Sequence, residues 1–215
     1  MKLRARDILL LVVGWSFVAV ALVVLVLVFR SRISEPAGVP EPVATHTVVF
    51  TQVTALGLYP KAEGVARAWQ PDARLVSVTA TWRNTAINLV GQPTQWVFRF
   101  YSPALRRYYF VTVQPDGQTQ AIEHARQVDL SPPGFPVEAW RVNSVEALAT
   151  WLDYGGGDML GDMPGIEVSA QLNVPAEGGD PLWTVVGYDA RSNAYLTVMV
   201  HATSGKVIRT VSPSP

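Results

Sequence analysis

The sequence predicts an α+β protein: an N-terminal transmembrane helix, then two repeated units, each a helix packed on a three-stranded antiparallel sheet. Three observations carry that expectation. An uncharged apolar run fills residues 8–29. Residues 95–113 (QWVFRFYSPALRRYYFVTV) align without a gap on residues 182–200 (LWTVVGYDARSNAYLTVMV), matching Trp96 with Trp183, Tyr101 with Tyr188 and Tyr108 with Tyr195. Upstream, residues 76–82 (VSVTATW) resemble residues 166–172 (IEVSAQL), and a short helical pattern precedes each copy. Self-similarity of this kind points to one supersecondary unit used twice.

Taken in order, residues 1–30 hold a short tip and the apolar run. Twenty-two residues at about 1.5 Å each give roughly 33 Å, enough to cross a hydrocarbon core of about 30 Å. The run exceeds the 7–15 residues typical of a signal-peptide core. Lys2, Arg4 and Arg6 precede it and Arg30 and Arg32 follow. The positive-inside rule then expects a single-pass protein of the cell membrane, N-terminus cytoplasmic and C-terminal domain outside. Residues 31–45 form a spacer, since Pro36, Pro40 and Pro42 forbid a helix and favour extended backbone.

Unit 1 spans residues 46–128. Residues 46–53 (HTVVFTQV) offer an edge strand. Ala62, Val65, Ala66 and Trp69 have helical spacing, with Pro60 suited to the first turn and Pro71 limiting the end. Strands follow, placing Val76, Val78, Ala80 and Trp82 on one face, then Trp96, Phe98 and Phe100, then Tyr109, Val111 and Val113. A proline-rich link covers residues 129–141. Unit 2 spans residues 142–215. Its helix repeats the spacing in Val145, Leu148, Ala149 and Leu152, with Asn143 and Glu146 as a capping box, and should stop by Gly155–Gly157. Its strand faces are Ile166/Val168/Ala170/Leu172, Trp183/Val185 and Leu196/Val198/Val200. A single helix per sheet buries one face and leaves the other free.

Residues 188–208 (YDARSNAYLTVMVHATSGKVI) resemble the end of a PepSY domain, in which a final strand runs into Asp-x-x-Thr/Ser-Gly-x-Val/Ile. Ser204, Gly205, Lys206, Val207 and Ile208 match that ending, while His201 stands where the family commonly has Asp. The first copy keeps Asp116-Gly117 but lacks the Thr-Gly pattern. The resemblance covers roughly residues 59–122 and 142–210. It implies small α+β units on secreted or membrane-anchored proteins, with a role in modulating or inhibiting peptidases. The glycine has a physical reason, a tight turn at positive φ.

Composition narrows the function. The chain has 215 residues, 17 basic and 17 acidic. From His46 onward there are 12 basic and 14 acidic residues, a net charge of −2. That excludes a strongly basic nucleic-acid surface. No cysteine is present, so there is no disulfide, no thiolate metal ligand and no Cys nucleophile. No hydrolase, metallopeptidase, phosphate-loop or dinucleotide motif occurs, so no catalytic residue and no cofactor are assigned. His46, His124 and His201 share no ligand spacing. Asp153, Asp158 and Asp162, in the glycine-rich run of residues 153–165, are weak candidates for a calcium ion; a polar insertion is the better account of them. Of seven tryptophans, Trp69, Trp96, Trp151 and Trp183 read as packing residues, and Trp140 as the candidate for exposure, with packing over the domain junction favoured over a ligand contact. Arg106 and Arg107 read as a solvated hairpin tip. The expected function is therefore a membrane-anchored extracytoplasmic binding or regulatory protein acting on an envelope partner such as a peptidase. A structural or assembly subunit of an envelope complex is the alternative. A free sheet edge would let an extended peptide add as a strand.

Overall fold

The computed structural model describes residues 53–82, 93, 95–163 and 165–212, all within the unit Val39–Pro215. At its centre Ala80 lies opposite Ala170, and an eight-stranded antiparallel sheet grows outward on either side of that pair. In chain order the elements are α1 (Ala55–Trp69), β1 (Arg74–Trp82), β2 (Trp96–Ser102), β3 (Arg107–Val113), β4 (Thr119–Glu123) and a single 3-10 turn (Val137–Ala139). Then come α2 (Ser144–Trp151), a widened turn (Leu152–Gly156), α3 (Gly157–Asp162), β5 (Glu167–Asn173), β6 (Leu182–Asp189), β7 (Ala194–His201) and β8 (Val207–Val211). The sheet order is β4-β3-β2-β1-β5-β6-β7-β8.

The expected fold class is thereby corrected. The sequence suggested two helix-on-three-strand units and left open whether they cover one another or pair edges; the protein has one continuous sheet to which each half gives four strands, not three. The seam is the β1–β5 ladder. Val78 faces Leu172 and Trp82 faces Val168, so the pairing is symmetric about Ala80–Ala170. Joining there buries the two strands most apolar on their inner faces and removes two sheet edges at once. The strands β4 and β8 were missed because they are short and solvated. All five residues of β4 are exposed, so no burial imposes an alternating pattern on it.

One expected face is also shifted. Register slips between Leu75 and Ser77, a bulge that leaves Val76 unpaired with β2 and puts Leu75 opposite Phe100 in the core. Core rows then cross the sheet: Val111–Phe98–Val78–Leu172–Trp183–Val200 is one, and Val113–Trp96–Ala80–Ala170–Val185–Val198 the next. All these side chains are buried.

The helices cover this face. Helix α1 starts five residues before the expected Pro60, because the Thr54 hydroxyl caps it by accepting from Gly57 N–H. It buries Ala55, Leu58, Ala62 and Ala66, with Val65 and Trp69 partly buried beside them. The capping box of Asn143 and Glu146 opens α2. That helix buries Ser144, Ala147, Leu148 and Trp151, not Val145 and Ala149. The two helix starts are tied together. Ser144 Oγ accepts from Ala55 N–H at 3.3 Å, and Asn143 Oδ1 accepts from Leu56 N–H at 3.2 Å. Two orphan amides at the start of α1 are thus satisfied by the cap of α2.

The helical path does not end at Gly155–Gly157 as expected. Gly155, at φ +107°, absorbs a widened turn and α3 continues. Gly156 has ordinary helical dihedrals, so its lack of a side chain serves space: a Cβ there would come within 2.3 Å of the Trp151 ring. Across that ring, a Cβ on Gly187 would also approach to 2.3 Å. Trp151 therefore packs closely against β6 at Gly187, and its Nε1–H donates to the Leu196 carbonyl at 3.1 Å.

The expected single-pass anchor is set aside, and with it the membrane localisation. No helix among the described residues is long and apolar enough to cross a membrane. The longest of them, α1, has 15 residues, about 22 Å, short of a hydrocarbon core of about 30 Å. Residues 8–29, the spacer at 31–45, the edge strand at 46–52 and His46 lie outside the described residues.

Candidate interaction surface

Helices α1 and α2 and the widened turn pack on the inner face of the sheet, and alternation along each strand dictates what the opposite face carries. Between the core residues of β2 come Val97, Arg99 and Tyr101; β3 contributes Tyr108, Phe110 and Thr112. One row crosses seven strands: Ile122, Phe110, Arg99, Ser77, Asn173, Leu182 and His201. Ile122 is 70 % exposed there, at the margin of the sheet.

The open face carries two tyrosine pairs at matching positions. Tyr101 faces Tyr108 across β2–β3, and Tyr188 faces Tyr195 across β6–β7. Each pair sits at the mouth of a four-residue hairpin closed by a residue at positive φ, Arg106 in the first and Asn193 in the second. The first pair is held in a ladder of alternating cations and rings. The Arg74 guanidinium lies 5.6 Å from the Tyr101 centroid. The two rings are 5.4 Å apart, and the Arg99 guanidinium lies 5.2 Å from the Tyr108 centroid. Each cation–π contact is worth about 0.5–1 kcal/mol at a partly exposed site.

The two arginines are anchored differently. Arg74 Nη2 donates to Ser131 Oγ at 2.7 Å and to the Pro132 carbonyl at 3.0 Å, so it holds the link between the halves against the sheet end. Arg99 has no carboxylate partner among the described residues, and its Nε is buried without a hydrogen-bond partner. That leaves a half-buried cation over an aromatic ring, with Ser77 and Tyr101 buried beside it and Phe110 and Tyr108 half-buried. Tyr188, 42 % exposed, donates to Asn193 Oδ1 at 3.3 Å. Such a surface can hold an acidic or aromatic side chain of a partner at small further desolvation cost.

Hairpin mouths are fixed by polar side chains, of which Ser102 and Asp189 are buried and Asp72 is exposed. Ser102 donates to Asp72 Oδ1 at 2.8 Å, and Asp72 Oδ2 accepts from Ala104 N–H at 2.7 Å. Burial alone would raise the Asp72 carboxyl; the bonds from Ala104 and Ser102 outweigh it and hold it below the ordinary range. At the other mouth, hydrogen bonds from the Ser192 hydroxyl and amide hold the Asp189 carboxyl low.

The residues singled out in the sequence fall elsewhere. Asp153 lies in the widened turn, and Asp158 and Asp162 sit one turn apart on the exposed side of α3. No group of three His, Cys, Asp or Glu among the described residues is placed to hold a metal ion. His124 Nδ1 meets the Arg126 carbonyl at 3.2 Å, and His201 Nε2 meets Asp180 Oδ2 at 3.1 Å. The two rings lie toward opposite margins of the sheet. Trp140, the candidate for exposure, is buried among Tyr59, Phe135 and Trp183. Arg106 pairs with Asp129, as a solvated tip would. Arg107 belongs to β3 and pairs with Glu123 at 2.6 Å. The Arg–Tyr ladder was not singled out in the sequence. Its signal was present in the alternation of Val97, Arg99 and Tyr101 against a wholly apolar inner face.

No family model matches the chain, and no curated protein matches it. Among solved structures it is similar to the crystal structure of a "putative lipoprotein" from Clostridium difficile 630, with 10 % sequence identity and a TM-score of 0.40, covering 78 % of this chain and 99 % of that one.

Proposed function

We propose that the chain is an extracytoplasmic, envelope-associated binding protein that docks another protein on its open sheet face. The reading rests on the Arg74–Tyr101–Tyr108–Arg99 ladder, a cation–aromatic row on the sheet face opposite the helices, in which Tyr101 is buried and the other three are half-buried. Tyrosine and arginine are enriched where proteins meet: tyrosine buries much area at low entropic cost, and arginine adds a weakly hydrated planar cation that stacks on rings. The PepSY resemblance supports the envelope location and makes a peptidase the first partner to test. Binding is its work in this reading, and bond-making chemistry is not.

The test uses the full-length chain in its native envelope, with a photocrosslinking residue in place of Tyr195 or, as control, of Ala68 on the exposed side of α1. The expected result is capture of a peptidase or its precursor from the Tyr195 position alone, with the purified chain slowing that peptidase. Arg99→Glu should abolish both effects. Equal capture from both positions, or inhibition unchanged by Arg99→Glu, would overturn the open-face reading. Capture of non-peptidase complex subunits alone would favour an assembly role.

A further inference from the structure

The sheet has two edges, and they are treated differently. On β8 the ladder slips between Met199 and Val200, and Lys206 and Arg209 stand in or beside the strand. A bulge and cations of this kind discourage another strand from adding. On β4 the register to β3 runs unbroken from Thr119 to Glu123, and all five residues are exposed. The strand holds no lysine, arginine or proline.

The direction of its backbone groups can be worked out. Gln114 N–H donates to the Gln118 carbonyl, and His124 N–H donates to the Tyr108 carbonyl, each at 2.8 Å. In an antiparallel pair the bonded residues alternate. The even-numbered residues of β4 therefore bond inward to β3. The N–H and C=O groups of Thr119, Ala121 and Glu123 point away from the sheet.

We infer that β4 is the seam of a homodimer, pairing with β4 of a second copy in antiparallel register about Ala121. In that register Ala121 faces Ala121 of the second copy, and Thr119 faces Glu123. All three outward residues then form bonded pairs, giving six hydrogen bonds across the seam. No like charges oppose one another. The occupant is specified by charge. Lys61 extends its ammonium from α1 to within 3.0 Å of where a Gly117 Cβ would be, on the helix side of the β3–β4 turn. Glu123 of the second copy, still holding its own Arg107 and Trp69, would arrive opposite Thr119, two residues from that ammonium and on the same side, so Lys61 would add a third donor to its carboxylate. On the open side Ile122 gains Gln120 of the second copy across from it and Ile122 of the second copy on the diagonal. The result is one sixteen-stranded sheet carrying two open faces side by side.

The chain has no native cysteine, so introduced ones report cleanly. The experiment is oxidative crosslinking of the full-length chain in detergent micelles, comparing Ala121→Cys with Ile208→Cys on β8. A bonded antiparallel pair has its Cα atoms about 5.5 Å apart, within disulfide reach. Expected is a disulfide-linked dimer from Ala121→Cys and not from Ile208→Cys. Ala121→Pro removes one outward N–H without touching the β3 ladder, so the monomer should keep its circular dichroism while the association constant falls roughly tenfold or more. Lys61→Glu should weaken association in the same direction. Equal crosslinking at both edges, or association unchanged by Ala121→Pro, would overturn the seam. Should Ala121→Pro fail to fold, the cysteine comparison decides alone. A failed seam leaves the open face untouched, so the two readings fall separately.

Discussion

Trp140 and Trp183 donate their indole N–H groups to one acceptor, the carbonyl oxygen of Val142, at 3.0 and 2.8 Å. The same residue sends its own N–H to the Ala202 carbonyl at 2.7 Å. Three segments are thereby pinned at one residue: the end of the proline-rich link, the start of β6 and the turn after β7. The rings also meet edge to face at 6.1 Å. Either indole alone still satisfies the carbonyl. Trp140→Phe and Trp183→Phe should each cost about 1–2 kcal/mol, from one lost hydrogen bond and a smaller ring. The double variant should cost more than their sum by about 1 kcal/mol, because no indole donor then remains. Urea unfolding of the four proteins measures the coupling; strict additivity would show that the shared acceptor contributes nothing.

Gly187 and Trp151 form a second obligatory contact. A methyl on Gly187 would meet Trp151 Cζ2 at 2.3 Å, and backbone on both sides of the ring leaves little room to yield. Gly187→Ala should destabilise by about 1–3 kcal/mol, the usual range for overpacking. Trp151→Phe removes the atom that clashes. It should therefore cost less in the Gly187→Ala background than in the parent, a sign that thermal or urea unfolding can read directly.

Two hairpin glycines differ in their surroundings. Gly117 and Gly205 both have positive φ, +86° and +75°. Alanine at either should cost about 1–2 kcal/mol from the left-handed backbone alone. At Gly205 the nearest atom to an added Cβ is Val142 Cγ2 at 3.8 Å, an ordinary contact. At Gly117 it is the Lys61 ammonium at 3.0 Å, which must move aside. That ammonium is the free end of an exposed, flexible side chain, so Gly117→Ala and Gly205→Ala should cost about the same, and Lys61→Ala should change neither; thermal unfolding reads both.

The inner face of this sheet was legible because burial writes an alternating pattern. Val78, Ala80, Phe98, Val111, Leu172 and Val198 each fall where period-two spacing puts them. The capping box at Asn143 was legible because it is a local hydrogen-bond pattern. What was not legible depends on contacts distant in sequence. The β1–β5 seam makes one sheet of two halves, and an alanine pair at its centre gives no sequence signal beyond ordinary strand composition. Trp140 was the candidate for exposure because it follows a proline-rich link, yet Tyr59 and Trp183 close over it. The bulge at Val76 shifted a face that strict alternation would have kept. The open face was read only as the one left free by the helices. Arg99 and Tyr108 are neighbours across two strands, and spacing along one strand cannot bring them together.

Three carboxylates give the fold an acid limit. Hydrogen bonds from Arg107 and then Trp69 hold the Glu123 carboxyl below its ordinary value, and those from Ser192 do the same for Asp189. Asp72 is lowered as well, its bonds to Ala104 and Ser102 overcoming desolvation. A carboxyl whose pKa is lower folded than unfolded binds fewer protons in the native state, so stability rises with pH across that interval. The contribution is complete above the unfolded values of 3.8 for the aspartates and 4.5 for Glu123, and is lost as pH falls through the lower folded values. Urea midpoints should therefore be level from pH 7 to about pH 5 and decline below about pH 4.5. Asp72→Asn combined with Asp189→Asn should lower stability at pH 7 and flatten the decline, because two of the three titrating groups are gone. A decline of undiminished slope in that double variant would show that other groups set the acid limit.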